Sequence, residues 1–468
     1  MSTQEQKGTN WVAVITMMFI YGMISFVTNL AAPMGSVWKY QPGIDGSNMW
    51  GMMGNMMNFL AYLFMGIPAG TMLTKCGYKK TALIAIATGF AGVGIQFLSG
   101  KFGVCEDCHS FALSGGMPTS FFIYLLGAFV CGFSVCMLNM VVNPMLNLLG
   151  GGGNRGNQLN MIGTTFNSLA GTATPVLVLS LIGEVSNTTK VADVNLVMYI
   201  ALTVFAVAFA ILAFIPIANP EQGTTSEKIP VLSPLRFRHC LLGVVAIFMY
   251  VGVEVGIPGT MGLWLPAANG PLVKAGIANA ATVTTGCVAV YWLLMLVGRT
   301  IGAFIGGKVS SRILMIVTTV AAMSLLLVGV LLPETVTVSM PVIDVAHLKC
   351  WMATVPMTAL LFALCGLCTS IMWPSTFNLA TEKLGKYTAA ASGLFMVMVV
   401  GGGILPLVQN HIADALASGT RDAAGAVTDA AKFTSAFMWA YIVPVIGLAY
   451  MFVYAAFFSK VPEDFKVD

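Results

Sequence analysis

Of 468 residues, 57% are hydrophobic and only 9% are charged; the mean hydropathy is +0.86 and the formal net charge +4. A soluble globular domain is excluded by that balance, and so small a positive charge requires no nucleic acid to explain it. The chain reads as an all-α membrane protein.

Apolar stretches of roughly 20 residues, the length a helix needs to cross the hydrocarbon, recur along the whole chain. Twelve transmembrane helices are expected, near residues 11–33, 48–74, 81–99, 119–149, 159–183, 195–217, 240–265, 281–306, 312–332, 351–381, 388–413 and 433–458. The opening MSTQEQKGTN is polar and lacks a cleavage-site pattern, so the first span reads as an anchor. Basic residues stay on the cytoplasmic side during insertion. With the N-terminus inside, fourteen Lys and Arg fall in cytoplasmic segments and seven, Lys39 among them, outside, with Arg299 alone in a span. Both termini are therefore expected in the cytoplasm.

CEDCH (105–109), between the third and fourth spans, reads as a loop staple, with a disulfide or a metal clip as the alternative; most of the other cysteines are isolated in the spans as small apolar residues, and no metal framework is expected. The longest cytoplasmic connection, residues 218–239, is rich in Pro, Gly, Ser and charge. It divides an N-terminal six-helix half, 1–217, from a C-terminal half, 240–468. The halves echo each other. GIPAGTMLTKCGYKK (66–80) follows the second span as GRTIGAFIGGKVSSR (298–312) follows the eighth; VVNPMLNLLG (141–150) and MWPSTFNLATEKLG (372–385) end the fourth and tenth. Two pseudo-symmetric halves are the plan of transporters that bind substrate at the midplane. In the first motif Gly66 and Gly70 are four apart, which permits close helix approach, and Lys75, Lys79 and Lys80 cap the cytoplasmic end. Gly70 and Lys75 are therefore candidate gating or structural positions.

Charges inside spans are costly and are usually functional or paired. Glu254, in YVGVEVG, lies about 15 residues from the cytoplasmic end of its helix, hence roughly 22 Å along it. Burial disfavours a charged carboxylate, so Glu254 is suited to taking up a proton or neutralising Na⁺; the competing role is a protonated acid that ties two helices. Arg299, nearer the cytoplasmic face, can snorkel, and a gating or structural role fits it better than substrate contact. The remaining span polarity is mostly amide. Asn29, Asn55, Asn58, Asn139, Asn143, Asn167, Asn378, Gln409 and Asn410 both donate and accept, as sugar hydroxyls do. Asn29, Asn58, Asn139, Asn167 and Asn378 are the candidate substrate amides, whereas Asn143, beside Pro144, is expected to tie helices. Tyr62, Phe166, Tyr250, Trp292 and Trp373 are aromatics on which a sugar face could stack, Tyr250 and Trp292 being the candidates for substrate contact. Trp11, Trp264 and Trp439 read as interfacial belt residues.

The 66–80 loop resembles the signature of the major facilitator superfamily, with Thr74 in place of that family's usual acid. TNLAAP (28–33), NPMLNLLG with LNMIGTTFNSLAG (143–150, 159–171), YVGVEV (250–255) and STFNLATEKLG with GGGILP (375–385, 401–406) resemble its fucose permease and glucose/galactose transporter branch. The resemblance implies a bacterial inner-membrane importer of a neutral monosaccharide by cation symport. No cofactor is implied beyond H⁺ or Na⁺, no partner beyond sugar and lipid, and a functional monomer is expected. In the fucose permease pattern the positions of Asn29 and Asn139 carry acids; as amides they cannot titrate, which leaves Glu254 as the coupling candidate. No cluster of His, Cys and carboxylate converges within the spans, so an enzyme is not expected. A nontransporting sugar sensor and an exporter of another small molecule are the alternatives.

Overall fold

The computed structural model describes residues 11–41, 44, 47–101, 118–149, 153–183, 185, 189–215, 230, 232–267, 270–277, 279–305, 309–344, 349–384, 387–420 and 428–461. CEDCH (105–109) and most of the 218–239 connection lie outside them. Among the described residues, twelve helices are long and apolar enough to cross a membrane: spans 1 to 12 are Trp11–Lys39, Met53–Leu73, Lys75–Ser99, Thr119–Asn143, Ile162–Ile182, Val191–Phe214, Arg238–Trp264, Ala280–Gly302, Ser311–Leu331, Met357–Thr381, Ala390–Leu416 and Ala430–Phe458. Spans 1–6 pack mainly on one another and so do spans 7–12, and these two groups are called the halves below. The start of span 1 and the end of span 12 share one end of the bundle, called the terminal end here.

The opposite end carries a feature that the sequence reading treats as loop and helix. β1 (Thr337–Asp344) and β2 (Lys349–Pro356) form an antiparallel hairpin, and span 10 starts only at Met357. Residues 351–356 are therefore strand, which corrects the expected start of that span. Met340, Val342 and Val355 are buried, and Gly286 of span 8 leaves room for Val342: a Cβ there would lie 2.1 Å from it.

Local chemistry explains the interruptions. Gly77 adopts φ +76, a left-handed conformation that costs glycine little, and it turns the chain from span 2 into span 3. Span 10 breaks at Ser370–Ile371, just ahead of Pro374, whose missing N–H cannot continue the ladder. Span 11 breaks at Val399–Val400, before the glycines of GGGILP.

Two seams join the halves. Along spans 2 and 11, Asn55 donates to the Gly402 carbonyl at 3.0 Å, and a Cβ on Gly66 would lie 2.7 Å from Val397. At the hairpin end, Asp414 of span 11 accepts from Ser47 Oγ (2.9 Å), Asn48 Nδ2 (2.6 Å) and the Met49 backbone N–H (2.8 Å). Asn48 in turn accepts from Lys39 Nζ at 2.6 Å. Lys39 is thus the buried last residue of span 1 and no loop charge, since the amide and carboxylate chain compensates its ammonium. The second seam, between spans 5 and 8, is closed at the terminal end by Arg299.

Candidate functional site

A cavity of about 1780 Å³ lies between the halves, and its two walls differ in chemistry. Spans 1, 2, 4 and 5 contribute Asn29, Asn55, Asn139, Asn143 and Asn167, together with Tyr21 and Tyr62. Spans 7, 8 and 10 contribute Tyr250, Glu254, Trp292, Arg299, Trp373 and Asn378. Most of the candidates named from sequence therefore converge on one space.

On the amide wall, hydrogen bonds fix the side chains. Asn139 donates to the Tyr62 hydroxyl at 2.9 Å and to the Val135 carbonyl at 3.1 Å. Asn29 donates to Ser25 O at 2.9 Å and Ser25 Oγ at 3.1 Å, one helical turn back. Asn167 of span 5 reaches the Tyr21 carbonyl of span 1 at 3.3 Å. Asn143 accepts from the Tyr21 hydroxyl and donates to Asn139 O at 2.8 Å, so it ties spans 1 and 4 as expected while also lining the cavity. Anchored amides present a polar wall of fixed orientation, which lowers the ordering cost of binding a hydroxylated ligand.

The facing wall is aromatic. Tyr250 and Trp373 stand 6.0 Å apart, centroid to centroid, and Trp292 packs edge-on to Tyr291 at 5.4 Å. Ser370, Ile371 and Pro374, at the break in span 10, line the same wall as Trp373.

Between the walls lies an ion pair. Arg299 Nη2 is 3.5 Å from Glu254 Oε1, with side chains 24% and 14% exposed respectively. Nη1 of the same guanidinium donates to Ser168 Oγ at 2.8 Å and to the Thr164 carbonyl at 3.4 Å, both on span 5 of the other half. Tyr291 donates to the Glu254 carbonyl at 3.1 Å and steadies that turn of span 7. Lys39, Glu254 and Arg299 are the charged residues among those that line the cavity. Arg299 therefore faces inward to a carboxylate instead of snorkelling. Pairing 45 positions apart in sequence has no local signal; Ser168, Thr164 and Lys39 were missed for the same reason.

Several candidates sit elsewhere. Asn58 is buried where span 2 meets span 4, its backbone carbonyl against Gly132, and does not line the cavity; its span neighbours Asn55, Phe59 and Tyr62 do. Gln409 and Asn410 are buried within the C-terminal half, Asn410 donating to Thr260 Oγ1 at 3.1 Å. Phe166 is 44% exposed on the bundle exterior, while Trp264, read as a belt residue, is 1% exposed and belongs to the core. Trp11 and Trp439 are exposed, as a belt requires. Gly70 faces Met140 of span 4, with a Cβ 3.3 Å from its methyl group, and Lys75 is exposed and away from the cavity. The lysine that caps a helix in that motif is Lys79, which donates to the Ala213 and Ile215 carbonyls at the end of span 6.

The Major Facilitator Superfamily model matches residues 12–406. The chain is 25% identical over 467 residues to a glucose/galactose transporter of Brucella abortus, covering 98% of this chain and 96% of that protein. It is 22% identical over 433 residues to the L-fucose-proton symporter of Escherichia coli, covering 86% and 83%. Among solved structures, the E. coli fucose:proton symporter aligns at a TM-score of 0.64 and 17% identity, covering 97% of this chain and 100% of that one. A D-xylose-proton symporter aligns at 0.65 and 12% identity, covering 97% and 99%.

Proposed function

The chain belongs to the Major Facilitator Superfamily, and on that premise we propose that it imports a neutral monosaccharide by alternating access of its two halves, coupled to a cation through Glu254. The observation that carries this reading is the contrast between the cavity walls. Amides on spans 1, 2, 4 and 5 suit sugar hydroxyls, and Tyr250, Trp292 and Trp373 opposite suit the C–H face of a sugar ring. Charge supports neutrality of the ligand: Glu254 and Arg299 compensate each other, and Lys39 is engaged with Asn48. The names of its relatives, a glucose/galactose transporter and an L-fucose-proton symporter, support this substrate class.

Glu254 is the coupling group because its charge can differ between access states, and a ligand shifts an equilibrium only through such a difference. Asn29 and Asn139 cannot play that part. The cation is H⁺ or Na⁺. In this reading the protein works as a monomer in the bacterial inner membrane, with both termini cytoplasmic.

Labelled hexose and deoxyhexose counterflow in proteoliposomes tests the substrate class. Exchange of a lipophilic cation in place of sugars would favour an exporter, and binding without exchange a sensor. Coupling is tested with Glu254→Gln, which keeps volume and hydrogen bonding but removes the charge. Accumulation against a gradient should vanish while counterflow persists. Collapsing the wild-type proton gradient with a protonophore, or the sodium gradient with a sodium ionophore, identifies the cation by which treatment abolishes accumulation.

A further inference from the structure

Arg299 stands in the last turn of span 8 and touches both halves of the molecule at once. One side of its guanidinium faces Glu254 of its own half at 3.5 Å; the other donates to Ser168 Oγ (2.8 Å) and the Thr164 carbonyl (3.4 Å) of span 5. These span 5 groups lie at the terminal end of the seam that alternating access must open and close. Ser168 is buried, so its bond to Arg299 is shielded from competing water.

Pairing decides where such a side chain rests. An arginine in a span is held inside by a counter-charge; without one, its long stem lets the guanidinium leave for water at the nearer membrane face. For Arg299 that face is the terminal end, and departure would break both bonds to span 5. We propose that Arg299 is the positioning residue that ties the charge of Glu254 to the span 5/8 seam. While Glu254 is ionised, it holds the guanidinium on Ser168 and Thr164 and keeps the terminal end shut. When a cation neutralises Glu254, Arg299 loses its counter-charge and the seam is released. This rests on the reading of Glu254 as the coupling carboxylate, and it adds the route from ion binding to gate movement. Ser168 serves the gate in this scheme through its hydroxyl alone.

Hydrogen exchange of the full-length protein, read by mass spectrometry, tests the scheme directly, because local opening of a seam unprotects its backbone amides. Glu254→Gln stands in for the neutralised carboxyl, Arg299→Gln removes the latch, and Ser168→Ala removes its anchorage without touching any charge. Each should raise exchange at the terminal ends of spans 5 and 8 by roughly tenfold, and leave the span 2/11 seam as in the wild type. Glu254→Gln combined with Arg299→Gln should exceed neither single change, since both act through one contact. In transport, Ser168→Ala should lower the accumulation ratio severalfold while cation dependence remains. Arg299→Lys, which restores charge but not the two-sided fork, should recover part of the accumulation that Arg299→Gln loses.

Wild-type exchange in Glu254→Gln, or additive effects in the double variant, overturns the proposal. So does full accumulation by Arg299→Gln. If Arg299→Gln does not fold, Ser168→Ala carries the test, and wild-type protection there is equally decisive. Persistent accumulation by Glu254→Gln instead sinks the coupling role of that acid, a result read from transport and separate from the exchange pattern.

Discussion

Trp373 and Trp264 place the same indole in opposite surroundings, and truncating each should have different consequences. Trp373 lines the cavity beside Tyr250, so Trp373→Ala should raise the sugar KM by roughly tenfold, the loss of one stacking contact of about 1.4 kcal/mol, with little change in melting temperature. Trp264 is buried in span 7 away from that wall. Trp264→Ala should instead cost about 3–5 kcal/mol of stability, read as a lowered melting temperature in detergent. The sequence reading puts Trp373 among the stacking aromatics, where it lines the cavity, but takes the buried Trp264 for a belt residue. Each tryptophan sits in an apolar run near a proline, and burial against other spans has no signature along the chain. The amides were more legible, because Asn29, Asn139, Asn167 and Asn378 are costly in hydrocarbon unless they face a cavity or a partner. Asn58 shows the limit of that argument, for it is buried beside span 4 with its amide oxygen unpartnered and does not line the cavity.

At the scale of elements, span 11 contains two glycines of opposite tolerance. A Cβ on Gly401 would lie 2.0 Å from the Phe248 carbonyl of span 7, which is backbone and cannot yield, whereas Gly393 has nothing within 4 Å. Gly401→Ala should therefore lower the melting temperature or abolish the folded fraction, as seen by size-exclusion chromatography. Gly393→Ala should be neutral or stabilising by up to about 1 kcal/mol, since alanine is the better helix former. The span itself was legible from hydropathy, as were all twelve, because length and apolar content are dictated by the bilayer and owe nothing to the partner helices. The β-hairpin was not. Its second strand, KCWMATVP, runs straight into Met357 of span 10, and periodicity blurs where a strand feeds directly into a helix. Lys39 and Asp414 were lost to the same cause at a larger separation: what brings the end of span 1 to the end of span 11 is the packing of the halves.

Across the whole molecule, the cavity of about 1780 Å³ exceeds the roughly 300–1,000 Å³ of ordinary ligand pockets, so a single hexose cannot fill it in this conformation. Toward the hairpin end, Pro175, Val178 and Ile182 of span 5 and Ala280, Thr284 and Val288 of span 8 all face that space. Span 11 is already joined to span 2 through Asn55 and to the segment just before span 2 through Asp414. Closure around a monosaccharide must then bring the hairpin-end halves of spans 5 and 8 together, and a ligand that drives closure stabilises the closed state by mass action. At a hundredfold excess over its Kd that amounts to about 2.7 kcal/mol, a rise of several degrees in melting temperature. The transported sugar should produce this shift and, at the same concentration, protect residues 175–182 and 280–288 from hydrogen exchange. Glucose, galactose and fucose can be ranked this way in one buffer, with glucuronate, galacturonate and a lipophilic cation as controls. The hexuronates should fail, because Arg299 is engaged by Glu254 and Lys39 by Asn48, and an added carboxylate would enter without a free base. A hexuronate that stabilises more than its neutral parent would show that one of these bases leaves its partner for the ligand, and the assignment of a neutral substrate would have to be given up.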